Sequence, residues 1–437
     1  MPRTPPPITA PYSEPLLPQL DIENPYYNET HYDLRQHVRE YVDTHIAPYA
    51  QEWEEAGQVP ESARLRHHQL GFGVVHPLTN PDDAANLSLP GGVPHDKWDT
   101  WCSLIVNDEL TRCGYVGVVW GLGGGNSIGA PPIARFGTPQ QRRRWLPGVA
   151  KGEIRFCLGI TEPDAGSDVA NISTTARRES NHYIVNGAKK WITNGIWADF
   201  CTAAVRTGGP GRHGISVLVI PLKELGVSRK RMHNSGVNAS GSTFLEFDDV
   251  RVPVENLIGK ENEGFQIIMS NFNPERLSLA CASLRLARCC AEDAFNYAVQ
   301  RETFGAPLIT RQTIQSKIFK FGQLIEPAQA FLEQLAYIIE STKDRPDVVN
   351  IGGMTALLKV MSTRALEKSV REAQQIMGGA GYNKAGKGAR VEQISRDARV
   401  HVVGGGSEEI MMGLAIREET KALNARQKAK SKKAAKL

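Results

Sequence analysis

A double change of rhythm constrains this chain more than any other feature. Apolar residues recur at helical spacing, switch to short β-rich runs between Phe156 and Pro253, and return to helical spacing after Gly264. In the first block, His31 to Glu54 and Trp101 to Cys113 have helical patterns, and the Pro/Gly/Asn-rich stretch from Pro77 to Pro94 reads as a loop. In the middle block, FCLGIT, HYIVNG, KKWITNG, FCTAAVRT, ISVLVIP, STFLEF and VRVP alternate with turn residues, which predicts seven short strands in an antiparallel barrel or sandwich. In the last block, Pro274 to Arg301 is apolar almost all round and predicts a buried helix; Met354 to Met377 and Glu408 to Leu423 predict further ones. The sum is an α+β fold: an extended arm over 1–29, an N-terminal helical domain over 30–153, a middle antiparallel β-barrel domain over 154–264, a C-terminal four-helix-bundle domain over 265–423, and a basic tail over 424–437.

Composition narrows the class. With 41% hydrophobic and 22% charged residues among 437, the chain has the balance of an ordinary globular protein. No apolar run reaches the roughly 18 residues of a membrane helix, so no membrane span is expected. The Pro-rich start, MPRTPPPITAPYSEPLLP, has neither the apolar core of a secretory signal nor the pattern of a mitochondrial presequence, and predicts a loosely ordered arm. The net charge of +4 is carried by the tail, where Arg426, Lys428, Lys430, Lys432, Lys433 and Lys436 stand without an acid. The rest is slightly acidic, so no nucleic-acid groove is expected. Seven cysteines include no C-x-x-C pair, which predicts buried thiols in a reducing compartment and no metal site.

Four strings can carry chemistry. TEPDAGSD (161–168) ends a strand at Thr161 and sets Gly166 and Ser167 in a tight polar turn, able to aim hydroxyls and N–H groups at a phosphate or carbonyl; a plain β-turn is the structural alternative. KKWITNG (189–195) alternates Trp191 with Thr193 on one strand, where a flat aromatic beside a hydroxyl can stack on a planar ring; a structural Trp is the alternative. QRETFGAPL (300–308) offers Arg301 for a phosphate, or simply a helix end. QIMGGAGY (375–382) offers Gly378 and Gly379 for close backbone approach, or simply a C-cap. A further string, Gly209, Gly211 and Gly214, has dinucleotide-motif spacing, but a strand-like run follows it and predicts a hairpin loop.

In combination and in this order, T-E-P-x-A-G-S-D, N-G-x-K-x-W-I-T-N-G, R-x-T-F-G, Q-x-x-G-G-x-G and R-D-A (Arg396, Asp397, Ala398) resemble the acyl-CoA dehydrogenase family over residues 30 to 422. The resemblance implies FAD as cofactor and an acyl-CoA substrate. Thr161 and Ser167 match contacts to the flavin and its diphosphate or to the thioester arm, with Leu158, Ile160 and Gly166 beside them. Trp191 matches the aromatic next to the isoalloxazine, and Thr193 a hydroxyl near its reactive nitrogen. Arg301, Thr303, Phe304 and Gln312 match FAD contacts from a neighbouring subunit; Gln375, Gly378 and Gly379 match a shared adenosine site; Ser407 and Glu409 match further cofactor contacts. Such sharing implies a homodimer or homotetramer. Ser167, Phe272, Asn273, Arg276 and Gly124 match substrate contacts.

The base departs from the commonest family pattern. Many members carry a Glu in a Y-E-G-T string soon after R-D-A, and here that position is Gly405, which cannot take a proton. Isovaleryl-CoA and long-chain acyl-CoA dehydrogenases carry their base elsewhere, and NPERLSLA resembles their segment, which puts the base at Glu275. Gly405 keeps its backbone N–H, the group that polarises the thioester oxygen in this family. Asn273 as N-cap and Pro274 at the first helical position predict that Glu275 lies in a helix's opening turn. There the dipole favours an acid by about 0.3–1 kcal/mol without any catalysis. It also lowers the carboxyl pKa, whereas an apolar acyl tunnel raises it; burial is expected to win once substrate is bound. Glu408 and Glu409 are the alternative carboxylates, expected to point into the last helix.

GLGGGNS (121–127) matches the end of the family's acyl pocket; it suggests room for long or branched chains, or a flexible loop. Ala435, Lys436 and Leu437 resemble an S-K-L peroxisomal address, with a cytoplasmic protein as the alternative. The electron acceptor is then either a partner flavoprotein or molecular oxygen. Two rivals to a dehydrogenase stand: an acyl-CoA oxidase, and a non-catalytic flavoprotein of the same fold.

Overall fold

The computed structural model describes residues 8–20, 22–76, 81–345 and 349–434. Helices α1 (Glu29–His45), α2 (Ala50–Ala56), α3 (Glu61–Gln69), α4 (Thr100–Thr111), α5 (Val116–Gly129), α6 (Pro131–Phe136) and α7 (Pro139–Lys151) come first. Strands β1 (Phe156–Gly159), β2 (Thr175–Glu179), β3 (His182–Ile192), β4 (Phe200–Arg206), β5 (Ile215–Pro221), β6 (Val227–Arg231), β7 (Thr243–Pro253) and β8 (Leu257–Ile258) follow. Helix α8 (Gly264–Gln300), the hairpin of β9 (Glu302–Thr303) and β10 (Ala306–Pro307), then α9 (Gln312–Ser341), α10 (Gly352–Met377), α11 (Ala389–Val403) and α12 (Glu408–Ala434) complete the order. Helix, strand, helix is the α+β succession the periodicity predicts. Among the described residues no helix is long and apolar enough to cross a membrane. All seven cysteines are buried free thiols.

The chain divides into two compact units. The sheet unit comprises His37–Lys97 and Tyr115–Phe272; the bundle unit comprises the residues up to Gln36, Trp98–Gly114 and the residues from Asn273 on.

In the sheet unit the strand order is β6-β7-β3-β2-β4-β5-β8, with β1 parallel beside β4, so the sheet is mixed rather than wholly antiparallel. HYIVNG and KKWITNG belong to one strand, β3. Its Asn186-Gly187 pair is a bulge, not a turn, with Gly187 at φ +139° against Thr174. STFLEF and VRVP likewise make one strand, β7. Strands β2 (TARRE) and β6 (VSRKR) lack an apolar run because each keeps charged residues on its solvent side. Strand β5 is apolar on both faces because each face has a core: Val217 and Val219 join Trp145, Val149 and Phe156, while Leu218 and Ile220 join Tyr183, Val185 and Leu245. The Gly209–Gly214 string is the hairpin loop between β4 and β5, as expected.

GLGGGNS is not a loop but part of α5. Gly117, Gly121, Gly125 and Gly129 recur every fourth residue and form one face of that helix. An added methyl would lie 2.6 Å from the Ala239 carbonyl at Gly121, 2.8 Å from Asn194 Oδ1 at Gly125 and 2.7 Å from the Cys157 carbonyl at Gly129. Glycine here permits backbone-to-backbone approach, which outweighs its poor helix propensity.

In the bundle unit, Trp101, Leu104, Leu277, Leu284, Leu332, Leu335 and Leu358 pack into one core. The arm, expected to be loosely ordered, is pinned over its described residues. Arg285 Nη1 donates to the Ser13 carbonyl (3.2 Å) and Nη2 to Glu14 Oε2 (3.0 Å); Arg288 Nη1 donates to the carbonyls of Tyr12 (2.9 Å) and Glu14 (3.0 Å). Two buried guanidinium groups need those acceptors, and that need orders the arm. Helix α12 carries on through the basic tail to Ala434. Ala435, Lys436 and Leu437 lie outside the described residues, as do residues 1–7.

Helix α8 begins at Gly264, not at Pro274. Glu275 therefore lies about three turns in, away from the helix's N-terminal charge, and the dipole argument does not apply. Pro274 has no N–H for the Ser270 carbonyl, and Arg135 Nη1 donates to that oxygen instead at 3.1 Å. Asn273 is no N-cap; its Oδ1 accepts from Arg276 Nη1 at 3.2 Å.

Candidate active site

In the sheet unit, two of the four strings are locked together. The Thr161 carbonyl accepts from the Lys190 N–H at 2.8 Å, fastening the turn after β1 to the end of β3. Beneath that bond, Lys189 Nζ donates to Glu162 Oε1 at 2.7 Å and to the Ile160 carbonyl at 3.1 Å. Glu162 also accepts from the backbone N–H groups of Ser173 (2.6 Å) and Thr174 (3.0 Å). Both members of the pair are buried, at 3% for Glu162 and 0% for Lys189. Burial opposes ionisation of Glu162, but the Lys189 ammonium and these donors outweigh it and hold the carboxyl down at about 2. Sequence reasoning missed this pair as a functional element, although each residue stands inside a string singled out above.

Above the lock, the backbone presents its groups outward. Gly166 and Ser167 are exposed, Thr161 is half-buried, and Leu158 and Ile160 pack into the core. Trp191 sits in a bulge with φ +64° and is 54% exposed. Thr193 lies past the end of β3, so these two residues do not alternate along one strand; the left-handed turn at Trp191 brings both out. Gly124 on α5 faces the same place, its added methyl standing 3.7 Å from Thr193 Cγ2. Asn194 fixes that arrangement, accepting from the Gly125 N–H (2.6 Å) and donating to the Trp120 (3.1 Å) and Ser240 (2.8 Å) carbonyls. Phe272 is half-buried against the apolar core of this unit.

In the bundle unit, Arg276, next to Glu275 on α8, comes together with Gly405. Glu275 Oε2 is buried with no hydrogen-bond partner. Burial raises its carboxyl to about 7, with the charges of Arg276 and Lys359 opposing. Arg276 Nε is committed to the Gly405 carbonyl at 2.9 Å. Gly405 has φ +65°, and an added methyl there would lie 2.8 Å from Leu279 Cδ1. Lys359 was not expected in the site; its Nζ donates to the carbonyls of Val402 (2.6 Å) and Gly406 (2.7 Å). Its one sequence signal is a lysine inside the apolar run TALLKVM. Glu408 is bound to Arg364 Nε at 3.0 Å and Glu409 is exposed, so neither carboxylate resembles Glu275. Ser407 directly precedes α12, its carbonyl accepting from the Met411 N–H at 2.9 Å.

The remaining candidates of this unit lie on its surface. Phe304 and Gly305 form the tip of the β9–β10 hairpin at positive φ, with Phe304 98% exposed. Arg311 Nη2 holds the Thr303 carbonyl at 2.8 Å, and the Arg311 guanidinium stands 5.8 Å from the Phe304 ring centre. Arg301 and Gln312 are exposed beside this hairpin, at the end of α8 and the start of α9. Gln375 is exposed on the last turn of α10, which ends at Gly378 with φ +58°; nothing lies within 4 Å of an added methyl at Gly378 or Gly379. Among the described residues one group, His31, Asp99 and Cys102, has metal-ligand spacing. There Asp99 caps α4 through the Cys102 N–H (2.9 Å) and accepts from His31 Nε2 (3.0 Å), which accounts for the cluster without an ion.

Comparison with known proteins gives a consistent result. Residues 28–153 match the model of the acyl-CoA dehydrogenase N-terminal domain, 157–250 the middle domain and 262–419 the C-terminal domain. An acyl-CoA dehydrogenase of Alternaria alternata is 47% identical over 420 residues, covering 95% of this chain and 97% of its own. The crystal structure of acyl-CoA dehydrogenase from Geobacillus kaustophilus superposes with a TM-score of 0.80 at 31% identity, covering 90% of this chain and 99% of that one. A glutaryl-CoA dehydrogenase from Mycobacterium smegmatis in complex with FADH2 superposes with a TM-score of 0.76 at 25% identity, covering 89% of this chain and 95% of that one.

Proposed function

The chain belongs to the acyl-CoA dehydrogenase family, whose members dehydrogenate acyl-CoA with a flavin, and from that premise we propose that Glu275 is its catalytic base and the Gly405 N–H its thioester-oxygen donor. The unpartnered, buried Glu275 Oε2 carries this reading. A structural carboxylate at that depth would be hydrogen-bonded or ion-paired. Burial instead leaves this one with a pKa of about 7, the value that suits a base working near neutrality.

The residues present fit FAD. Exposed rings on ordered backbone (Trp191 in the sheet unit, Phe304 in the bundle unit) can each stack on a planar ring, and Gly378 and Gly379 leave their surroundings open to close approach. Thr161, Ser167, Trp191 and Thr193 would hold the flavin end; Arg301, Thr303, Phe304, Gln312, Gln375, Gly378 and Gly379 would hold the remainder from a neighbouring subunit in a dimer or tetramer. When bound, FAD supplies the two-electron acceptor for the hydride that leaves Cβ.

The chain's own residues then do the rest. Glu275 Oε2 takes the proton from Cα as that C–H bond breaks, and the electron pair left behind becomes the α,β double bond as the Cβ–H bond breaks. The Gly405 N–H accommodates the negative charge that gathers on the thioester oxygen. Fatty-acid or branched-acyl β-oxidation is the setting that this chemistry fits.

An anaerobic titration of the purified flavoprotein with straight and branched acyl-CoAs tests the reading. At least one should bleach the flavin absorbance stoichiometrically and yield the trans-2-enoyl-CoA. A protein that binds FAD but is bleached by no acyl-CoA is the non-catalytic alternative. Hydrogen peroxide formed on admitting air identifies oxygen as the acceptor.

A further inference from the structure

We propose that Lys359 is a positioning residue: its ammonium clamps the Val402–Gly406 turn so that the Gly405 N–H is held ready for the thioester oxygen. This inference rests on the assignment of Gly405 as the oxyanion donor, and it adds a residue that no family motif above includes.

Gly404, Gly405 and Gly406 stand in a row, with φ +65° at Gly405 and +107° at Gly406. Three adjacent glycines have more backbone freedom than any other tripeptide, and a donor that wanders is a poor catalyst. Two cations remove that freedom. Lys359 reaches the Val402 carbonyl on one side of the triplet (2.6 Å) and the Gly406 carbonyl at its far end (2.7 Å), while Arg276 holds the Gly405 carbonyl (2.9 Å). Three carbonyls within five residues are thus fixed by charged donors, and the Gly405 amide lies between the fixed points.

A plain helix cap would not need this construction. The Val402 carbonyl belongs to the last turn of α11, where water or a glycine cap suffices. Lys359 is fully buried in α10, and burying an ammonium is costly unless its donors are well used. Burial, with Arg276 adding to it, pulls its pKa to about 8, with Glu408, Glu275 and Glu409 opposing. It makes no hydrogen bond to Glu275, although its charge is felt there. That separation matters: a direct ion pair would hold the carboxylate ionised and weaken it as a base. Spending the donors on carbonyls leaves Glu275 free and still places positive charge where an enolate forms.

The test uses the FAD-loaded K359M and K359Q proteins. K359Q keeps an uncharged donor on a side chain one bond shorter, so it remains informative if K359M folds poorly. Both should retain FAD and bind acyl-CoA with KM within about threefold, while kcat falls roughly ten- to a hundredfold. Hydrogen exchange should quicken in the 402–407 segment and stay unchanged in the helices. A 3-thia-acyl-CoA, which can lose its α-proton but has no β-hydride to give, should be deprotonated at a pH about one unit higher than on the parent protein. Turnover within threefold of the parent with unchanged 402–407 exchange would overturn the proposal. A merely structural lysine would raise exchange throughout the bundle and leave the α-proton acidity untouched, which also overturns it. The exchange measurement needs no turnover, so failure of the clamp is distinguishable from a chain that never oxidises acyl-CoA.

Discussion

Arg276 Nε donates to the Gly405 carbonyl at 2.9 Å, which ties the residue next to Glu275 to the glycine turn that follows α11. Gly405 is thereby held against the stretch of α8 that carries Glu275. Moving the carboxylate onto the turn should not reproduce that arrangement. Gly405 has φ +65°, and a side chain there meets Leu279 Cδ1 at 2.8 Å. The left-handed backbone alone costs a non-glycine residue about 1–2 kcal/mol. The E275Q/G405E double variant is expected to stay inactive and to melt below E275Q; recovery of even a tenth of parental turnover would show that the two positions are interchangeable.

The pKa of Glu275 fixes the direction of the pH profile. Taking Glu275 as the proposed base, with its carboxyl at about 7 it is protonated below neutrality, so kcat/KM should fall tenfold per unit as pH drops well below 7. The same shift bears on stability. A folded-state carboxyl raised from 4.5 to about 7 binds its proton more tightly than the unfolded chain does, so its stabilising contribution is present at low pH and is lost as pH rises through 7. E275Q removes the buried charge and should be more stable than the parent above pH 7, on the order of 1–3 kcal/mol. Denaturant melts at pH 6 and pH 8.5 check this; an equal difference at both pH values contradicts it.

Breaking the Glu162–Lys189 pair should cost the flavin before it costs the fold. Removing one partner of a buried ion pair destabilises by about 3–5 kcal/mol because the other charge is left behind. K189M leaves Glu162 unpaired beneath the turn of Thr161 and Ser167 and should purify largely without FAD. E162Q/K189M, which removes both charges, should recover much of the flavin content. Equal flavin occupancy in parent and K189M, measured by absorbance ratio, would show that the pair does not support the turn.

The order of helices and strands was legible because periods of two and of 3.6 residues are written into burial itself. The starts and ends were less so where one local signal had two uses. Asn273-Pro274-Glu275 has the chemistry of a helix start, yet α8 runs through it, because Arg135 supplies the donor that Pro274 lacks. GLGGGNS has the composition of a loop, yet it is a helix whose glycine face lets it approach the Ala239 and Cys157 backbone. The strings of the site were readable one by one, but their connections were not. Glu162 and Lys189 are 27 residues apart, and Lys359 is 43 and 47 residues from the carbonyls it holds. Such pairs are set by which strands and helices become neighbours, and no short-range spacing reports that.

Two neighbouring glycines of α5 should respond differently to alanine. At Gly125 the added methyl presses on the Phe156 carbonyl and Asn194, so G125A should lower stability by about 1–3 kcal/mol. At Gly124 the methyl finds Trp120 at 3.1 Å and Thr193 at 3.7 Å, contacts that side chains can relieve. G124A should melt near the parent yet shift the preference among acyl-CoAs toward shorter or unbranched chains. An unchanged preference ranking across the same panel would remove Gly124 from the acyl site.

Rapid mixing of FAD-loaded E275Q with the best acyl-CoA substrate, under nitrogen, addresses the proton-abstraction step directly. With Glu275 as base, E275Q binds the thioester with little change in affinity, and its flavin stays oxidised, with reduction slowed by at least about a thousandfold. Flavin reduction within tenfold of the parental rate would mean that another group takes the proton.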